Sequence, residues 1–81
     1  MNDKNYYCKV VGANIRYYRQ KRGYTQEKLA VLINTRNEYV SLLEGGHKNV
    51  SIDVLFRISK ALDIDAGKFL ALSKARKIKR S

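Results

Sequence analysis

The chain has almost none of the residues on which disulfides, metal sites and catalysis depend. Its 81 residues include one cysteine, one histidine, and no proline or tryptophan. Cys8, a free thiol near the start of a predicted helix, cannot form an internal disulfide, and with His47 it falls far short of a metal site. The seven acidic residues are scattered, and they form no nucleophile–base pair or paired-carboxylate arrangement. We therefore predict no metal, no cofactor and no enzymatic activity.

Long hydrophobic runs are also missing. No apolar stretch approaches the ~20 residues of a membrane span, and no signal-peptide pattern opens the chain, which favours a cytoplasmic protein. Hydrophobic residues make up 44% of the composition, too many for a disordered chain. The length allows one domain, residues 1–81, with a core at about 8–73 and a basic tail at 74–81.

Basic residues are what the chain has in excess. Seventeen Lys and Arg stand against seven Asp and Glu, a formal net charge of +10. Such an excess attracts phosphate independently of nucleic-acid sequence, and the attraction weakens with salt. The alternative is a solubilising surface, but such surfaces usually intersperse both signs. The basic residues concentrate in the first segment and the tail: Lys9, Arg16, Arg19, Lys21, Arg22, Lys74, Arg76, Lys77, Lys79 and Arg80.

Hydrophobic spacing and end signals predict a compact all-α domain of five helices. The first helix covers about residues 8–22 and ends at Gly23, which can adopt a left-handed cap. Thr25 is a predicted N-cap for the second helix, which runs to about residue 32. The third helix covers about residues 36–44 and stops at two glycines.

Ser51 is a predicted N-cap for the fourth helix, and Asp65 for the fifth. The core-facing residues of the first and fourth helices are predicted to be Val11, Ile15, Tyr18, Leu55, Ile58, Ala61 and Leu62. The fifth helix carries Phe69, Leu70 and Leu72.

The most informative stretch is residues 25–46, where two short amphipathic helices are separated by a tight turn. So short a break makes the helices cross steeply and leaves the second protruding. Asn34 suits the turn because Asn tolerates the left-handed conformation. A protruding helix on a basic chain predicts the DNA major groove as its partner. The apolar residues of the two helices are Leu29, Ala30, Ile33, Tyr39, Val40 and Leu43.

Over about residues 10–70 the chain resembles the Cro/cI-type (XRE-like) helix-turn-helix regulators. The resemblance implies a lambda-repressor-like fold and an all-α DNA-binding domain. Within the family, Arg36-Asn37-x-Tyr39-Val40-Ser41 followed by Asn49-x-Ser51 is most similar to restriction–modification controllers. The chain departs from the family at Asn34, where Gly is frequent, and at Arg36, where a small polar cap is frequent. The matching motifs are Ile15-Arg16-x-x-Arg19, Gly23-Tyr24-Thr25-Gln26-Glu27-x-Leu29-Ala30, Tyr39-Val40-Ser41-x-Leu43-Glu44-x-Gly46, and Leu55, Ile58, Ala61-Leu62 and Ile64.

The resemblance also implies residue roles. Arg19 and Glu44 form the family's structural ion pair, with Glu44 positioning Arg19 near the phosphate backbone. Gln26 binds a phosphate, or is an ordinary exposed helix residue. Glu38 accepts from cytosine, or orients an arginine. The predicted base readers are Arg36, Asn37, Glu38, Ser41 and Leu42, the last on a thymine methyl. The predicted phosphate contacts are Arg19, Thr25, Gln26, Thr35, His47, Lys48 and Asn49, of which the last three form a basic loop that is otherwise merely solvated.

One small domain gains few contacts, so we predict a homodimer on a palindromic operator, with Phe69, Leu70 and Leu72 as its interface. The predicted function is sequence-specific transcriptional regulation in the cytoplasm of a bacterium or phage, at the nucleoid. One alternative is an antitoxin or interaction module of the same fold. Another is a non-specific basic protein that binds nucleic acid.

Overall fold

The computed structural model describes residues 4–71, with side chains from Tyr6 onward. Four α-helices follow one another: α1 (Lys4–Lys21), α2 (Gln26–Leu32), α3 (Asn37–Glu44) and α4 (Ile52–Leu62). A 3-10 helix, Ala66–Leu70, closes the described part of the chain, which contains no strand. The all-α class is therefore confirmed. Leu72 and the tail 74–81 lie outside the described residues.

The fifth helix departs from the prediction, because it is a 3-10 helix of five residues. Asp65, the predicted N-cap, makes no side-chain hydrogen bond to the helix, and Ala71 after it is extended (φ −71°, ψ 135°). Gly67 adds backbone entropy to a segment too short for a stable α-helical nucleus. Short 3-10 turns are the usual form of such connectors. The first helix also begins earlier than predicted, at Lys4.

Two side-chain caps predicted from the sequence are confirmed. The Thr25 hydroxyl accepts a hydrogen bond from the backbone N–H of Lys28 at 3.0 Å. The Ser51 hydroxyl accepts one from the N–H of Val54 at 3.1 Å. Each cap satisfies a donor that the first turn of a helix leaves unpaired. Arg36 precedes α3 in an extended conformation (φ −93°, ψ 154°) and supplies no such side-chain bond.

All four α-helices end in the same way, with one residue in the left-handed conformation. These residues are Gly23 (φ 77°), Asn34 (φ 59°), Gly46 (φ 79°) and Asp63 (φ 56°). At the end of α2 the N–H of Asn34 donates to the Val31 carbonyl at 3.1 Å, and the N–H of Thr35 donates to the Ala30 carbonyl at 2.9 Å. This pair of bonds is the Schellman arrangement, which closes a helix and turns the chain sharply. The left-handed conformations predicted for Gly23 and Asn34 are confirmed.

The core lies where α1, α2, α3 and α4 meet. Phe69 of the 3-10 helix completes the core: it is fully buried and packs edge-on against Tyr18, with ring centroids 5.6 Å apart. The Asn14 amide holds this segment by donating to the Phe69 and Ala71 carbonyls at 2.8 and 2.9 Å. The predicted apolar faces are confirmed by the buried residues Ile15, Leu29, Ala30, Ile33, Val40, Leu43, Leu55, Ile58 and Leu62.

Helices α1 and α3 approach closely because residue 12 is glycine. A Cβ on Gly12 would lie 2.2 Å from the Leu43 carbonyl oxygen and 2.8 Å from that of Glu44. Both oxygens belong to the backbone, so they could move away only if helix α3 shifted. The contact therefore fixes the position of the C-terminal half of α3 against α1.

Candidate nucleic-acid interface

Helix α3 buries one face and presents the other to solvent. Val40 and Leu43 are buried beneath it, while Ser41 and Leu42 are exposed. Tyr39, one of the predicted apolar residues, packs partly buried against the core, and Tyr24 does the same. The arrangement is the predicted one, with an amphipathic helix joined to α2 by a tight turn.

The predicted base readers lie together at the N-terminal end of α3. Arg36, Asn37 and Glu38 are all exposed, and Leu42 is 39% exposed one turn further along. A shallow depression brings this end of the helix together with the loop after α3. It is lined by Asn34, Thr35, Arg36, Glu38, Tyr39, Leu42 and Lys48. The surface thus combines hydrogen-bond donors and acceptors with the apolar side chain of Leu42 and the cations Arg36 and Lys48. This combination suits the base edges and the phosphate backbone of duplex DNA.

The opposite end of α3 is anchored by the predicted ion pair, which is confirmed. Arg19 Nε donates to Glu44 Oε2 at 2.6 Å, and Arg19 Nη2 donates to Glu44 Oε1 at 3.0 Å. The two side chains are 8% and 1% exposed. Two parallel bonds between planar groups fix orientation as well as distance. Because Glu44 ends α3 and Arg19 lies on α1, the pair ties these helices together inside the domain.

Two further contacts complete the ion pair. Arg19 Nη1 donates to the Tyr24 carbonyl at 2.6 Å, and Gln26 Nε2 donates to Glu44 Oε1 at 3.0 Å. The pair therefore joins α1, the start of α2 and the end of α3 in one network. The sequence analysis did not predict this role of Gln26. Gln26 and Glu44 are 18 positions apart, and no local sequence pattern connects them.

This network engages two of the predicted phosphate contacts. Arg19 is buried with three of its donors bonded inside the domain, which gives it a structural role, and its phosphate contact stays a prediction. Gln26 is half-buried and spends one N–H on Glu44, which leaves its second N–H for a phosphate. Its phosphate contact stays a prediction.

The remaining predicted phosphate residues lie on the surface around α3. His47, Lys48 and Asn49 are exposed in the loop after α3, and Asn49 Oδ1 accepts a hydrogen bond from the Cys8 thiol at 2.8 Å. That contact ties the loop to α1. Thr25 and Thr35 lie at the two helix starts, Thr25 exposed and Thr35 half-buried.

Among residues 4–71 no group of three or more His, Cys, Asp or Glu side chains could hold a metal ion. No helix within that range is long and apolar enough to cross a membrane.

This arrangement defines a helix-turn-helix protein, and sequence comparison agrees. The helix-turn-helix family HTH_3 matches residues 15–69. The chain belongs to this family, which confirms the resemblance to the Cro/cI (XRE-like) regulators and the lambda-repressor-like fold.

Relatives and solved structures extend the comparison. C.BamHI, a control protein of Bacillus amyloliquefaciens, is 41% identical over 56 residues, which cover 68% of this chain and 69% of that protein. The restriction–modification controller C.AhdI of Aeromonas hydrophila superposes with a TM-score of 0.74 at 32% identity, covering 76% of this chain and 94% of that chain. The biofilm regulator SinR in complex with DNA has a TM-score of 0.71 at 31% identity, covering 75% and 98%.

Other relatives are much longer than the matched region. The match covers 13% of PrpR from Mycobacterium tuberculosis and 38% of SlrR from Bacillus subtilis, both named HTH-type transcriptional regulators. These relatives are transcriptional regulators rather than enzymes.

Proposed function

We propose that this protein is a sequence-specific transcriptional regulator that binds a palindromic operator as a homodimer. The observation that carries the proposal is the contrast along α3. Its N-terminal end is exposed and polar, while its C-terminal end is bonded into the domain through Glu44. A helix mounted in this way can enter the major groove with its first turn against the base edges.

The proposal divides the surface into two kinds of contact. Arg36 and Asn37 would read bases, since Arg pairs with guanine and Asn with adenine through paired hydrogen bonds. Glu38, Ser41 and Leu42 would contribute further readout. Phosphate contacts fix the register of the protein on the duplex without reading sequence. Those we propose are Thr25, Gln26, Thr35, His47, Lys48 and Asn49.

The predicted dimer surface needs a correction at Phe69, which is fully buried in the core and unavailable to a partner. Leu70 remains available, being 54% exposed, and it lines one groove with Tyr7 (53%) and Ile52 (69%). We propose that a second copy covers this groove.

The segments that supply Ile52 and Leu70 have a balanced charge, because residues 52–70 carry three acidic residues, Asp53, Asp63 and Asp65, and three basic ones, Arg57, Lys60 and Lys68. Two copies of a chain with net charge +10 repel least where the local charge is balanced. Two half-sites would then lie roughly 34 Å apart on the duplex.

The particular role that we propose is control of a restriction–modification system from the cytoplasm, at the nucleoid. The similarity to C.BamHI, 41% identity over about two thirds of each chain, and the superposition on C.AhdI support it. An endonuclease gene and a methyltransferase gene beside this one would be the expected genomic setting.

The test is selection of an operator from a random duplex library, followed by affinity measurements on Arg36→Ala and Asn37→Ala. Each lost base contact should weaken operator binding by about 1–3 kcal/mol and relax preference at one operator position. Binding to random duplex should change little for Asn37→Ala. Lys68→Ala, an exposed lysine of the 3-10 helix, serves as the charge-matched control for Arg36→Ala. If both variants keep the wild-type ratio of operator to random affinity, the reader assignment is wrong.

A further inference from the structure

Arg57 of α4 reaches across to the turn between α2 and α3. Its Nη1 donates to the Ile33 carbonyl at 3.2 Å, and its Nη2 donates to Asp53 Oδ2 at 2.8 Å. Ile33 is the C-cap residue of α2, and Asn34, the left-handed residue of the turn, follows it directly. A side chain from outside the two-helix motif therefore contacts the backbone at the point where the chain changes direction.

The Ile33 carbonyl is an acceptor that the helix end does not use. The Schellman bonds from Asn34 and Thr35 go to the Val31 and Ala30 carbonyls, and the Ile33 N–H donates back to Leu29. The last carbonyls of a helix need a donor from elsewhere. Arg57 supplies that donor.

Helix α4 is packed into the core on either side of Arg57. Its neighbours on α4, Leu55 and Ile58, are buried in the core. Asp53, one turn earlier on the same helix, holds the guanidinium from the other side. The ion pair itself is exposed, at 49% and 72% of the two side chains, so it adds little to the stability of the fold. The ion pair instead orients the Arg57 guanidinium toward the Ile33 carbonyl at the turn.

We infer that Arg57, oriented by Asp53, is a positioning residue that fixes the α2–α3 turn and hence the angle at which α3 meets DNA. The inference rests on the proposed function for its DNA readout. It concerns specificity more than affinity, because a loosened turn misaligns base contacts before it weakens phosphate contacts.

The chain contains a matched control for this arrangement. Arg22 Nε donates to the Leu62 carbonyl at 2.9 Å, and Arg22 also pairs with Asp63 at 3.6 Å. Arg22 thus supplies a donor to the end of α4 as Arg57 does to the end of α2. The end of α4 leads to the 3-10 helix and away from α3. Arg22→Met and Arg57→Met therefore remove the same charge and the same kind of contact at two different helix ends.

The experiment compares Arg57→Met, Arg57→Lys, Asp53→Asn and Arg22→Met on the selected operator and on random duplex. For Arg57→Met the ratio of operator to random affinity should fall about two- to tenfold, the range of one lost hydrogen bond. Arg57→Lys should recover part of the ratio, and Arg22→Met should keep it. Asp53→Asn should lower the ratio too, even though it makes the protein more positive.

The opposite result for Asp53→Asn would overturn the inference. If Arg57 bound phosphate directly, releasing it from Asp53 would strengthen binding to both duplexes, and Arg57→Met would weaken both equally while making the salt slope shallower. Equal ratios in Arg57→Met and wild type would also overturn it.

A second readout does not need DNA. Amide hydrogen exchange at Asn34 and Thr35 should accelerate in Arg57→Met and stay unchanged in Arg22→Met, because the turn opens locally. Unchanged exchange at these amides would contradict the positioning role on its own. If the wild-type protein shows no operator preference, the proposed function fails, while the exchange measurement still decides the role of Arg57 in the turn.

Discussion

The two ends of α3 are built in opposite ways. At the C-terminal end, Glu44 is buried and accepts three hydrogen bonds from Arg19 and Gln26, and Gly12 lets α1 lie against the backbone. At the N-terminal end, Arg36 occupies the cap position without making a cap bond, and the residues after it are exposed. The C-terminal end is therefore held by several contacts inside the domain, while the N-terminal end is exposed to solvent.

The difference shows how a small domain can present a helix to a large partner. Burial and bidentate bonding hold the C-terminal end at a fixed angle. The exposed end keeps its side chains free to form hydrogen bonds with the partner. A cap at position 36 would stabilise α3 by itself, but it would replace a long cationic side chain with a short one. Stability and recognition therefore compete at one position of the helix. Three experiments test the difference between the two ends, and a fourth tests the tail.

The largest effect is expected from Glu44→Ala, which breaks the anchored end. It leaves the buried Arg19 guanidinium without its acceptor, and removing one partner of a buried ion pair typically costs about 3–5 kcal/mol. A domain of this size loses roughly 4–8 °C of Tm per kcal/mol. Thermal unfolding by circular dichroism measures the loss. Glu27→Ala removes the same charge from an exposed position in the first turn of α2 and is the control. Equal melting temperatures for the two variants would contradict the anchoring role.

Gly12→Ala disturbs the packing of the C-terminal end of α3 against α1. The added methyl would overlap the Leu43 carbonyl, so α1 and α3 must separate, and overpacking of this kind costs about 1–3 kcal/mol. Gly67→Ala is the matched control, because a Cβ there meets nothing within 4 Å. In chemical denaturation, the free energy of unfolding should be well below the wild-type value for Gly12→Ala and at or slightly above it for Gly67→Ala. The reverse ranking would mean that the close approach of α1 and α3 does not fix α3.

Arg36→Ser tests the N-terminal end of α3 by a change that should stabilise the helix. A serine at this position can cap α3, and a good cap adds about 0.5–2 kcal/mol of stability relative to alanine. We expect Arg36→Ser to melt above Arg36→Ala while both bind operator more weakly than wild type. Urea unfolding and operator titration on the same three proteins give the comparison. A serine variant that is no more stable than the alanine variant would show that the N-terminal end of α3 cannot accept a side-chain cap.

The smallest effect on specificity is expected from deleting residues 74–81, which lie outside the described residues and carry five positive charges. Both operator and random binding should weaken, and the slope of log affinity against log salt should become shallower by about 0.9 for each charge that met a phosphate. Sedimentation at matched concentrations should show an unchanged association state. A monomeric truncated protein would instead place the tail in the dimer contact.

Much of the domain could be predicted from local signals. Thr25 and Ser51 were identified as caps, and Gly23 and Asn34 as left-handed residues, because such positions depend on the chemistry of one or two neighbouring residues. Core positions in α1 to α4 followed from helical periodicity. The Arg19–Glu44 pair came from the family resemblance instead, since no local rule connects residues 25 positions apart.

Contacts between distant segments were decided by the tertiary structure. The sequence by itself determined the four α-helices, the caps at Thr25 and Ser51, and the excess of positive charge, since each depends on short-range chemistry or composition. It did not determine that Phe69 turns inward against Tyr18, that Gln26 joins Glu44, or that Arg57 reaches Ile33. These contacts exist because the packing of the helices brings residues from separate elements together, and periodicity within one helix carries no information about its neighbour.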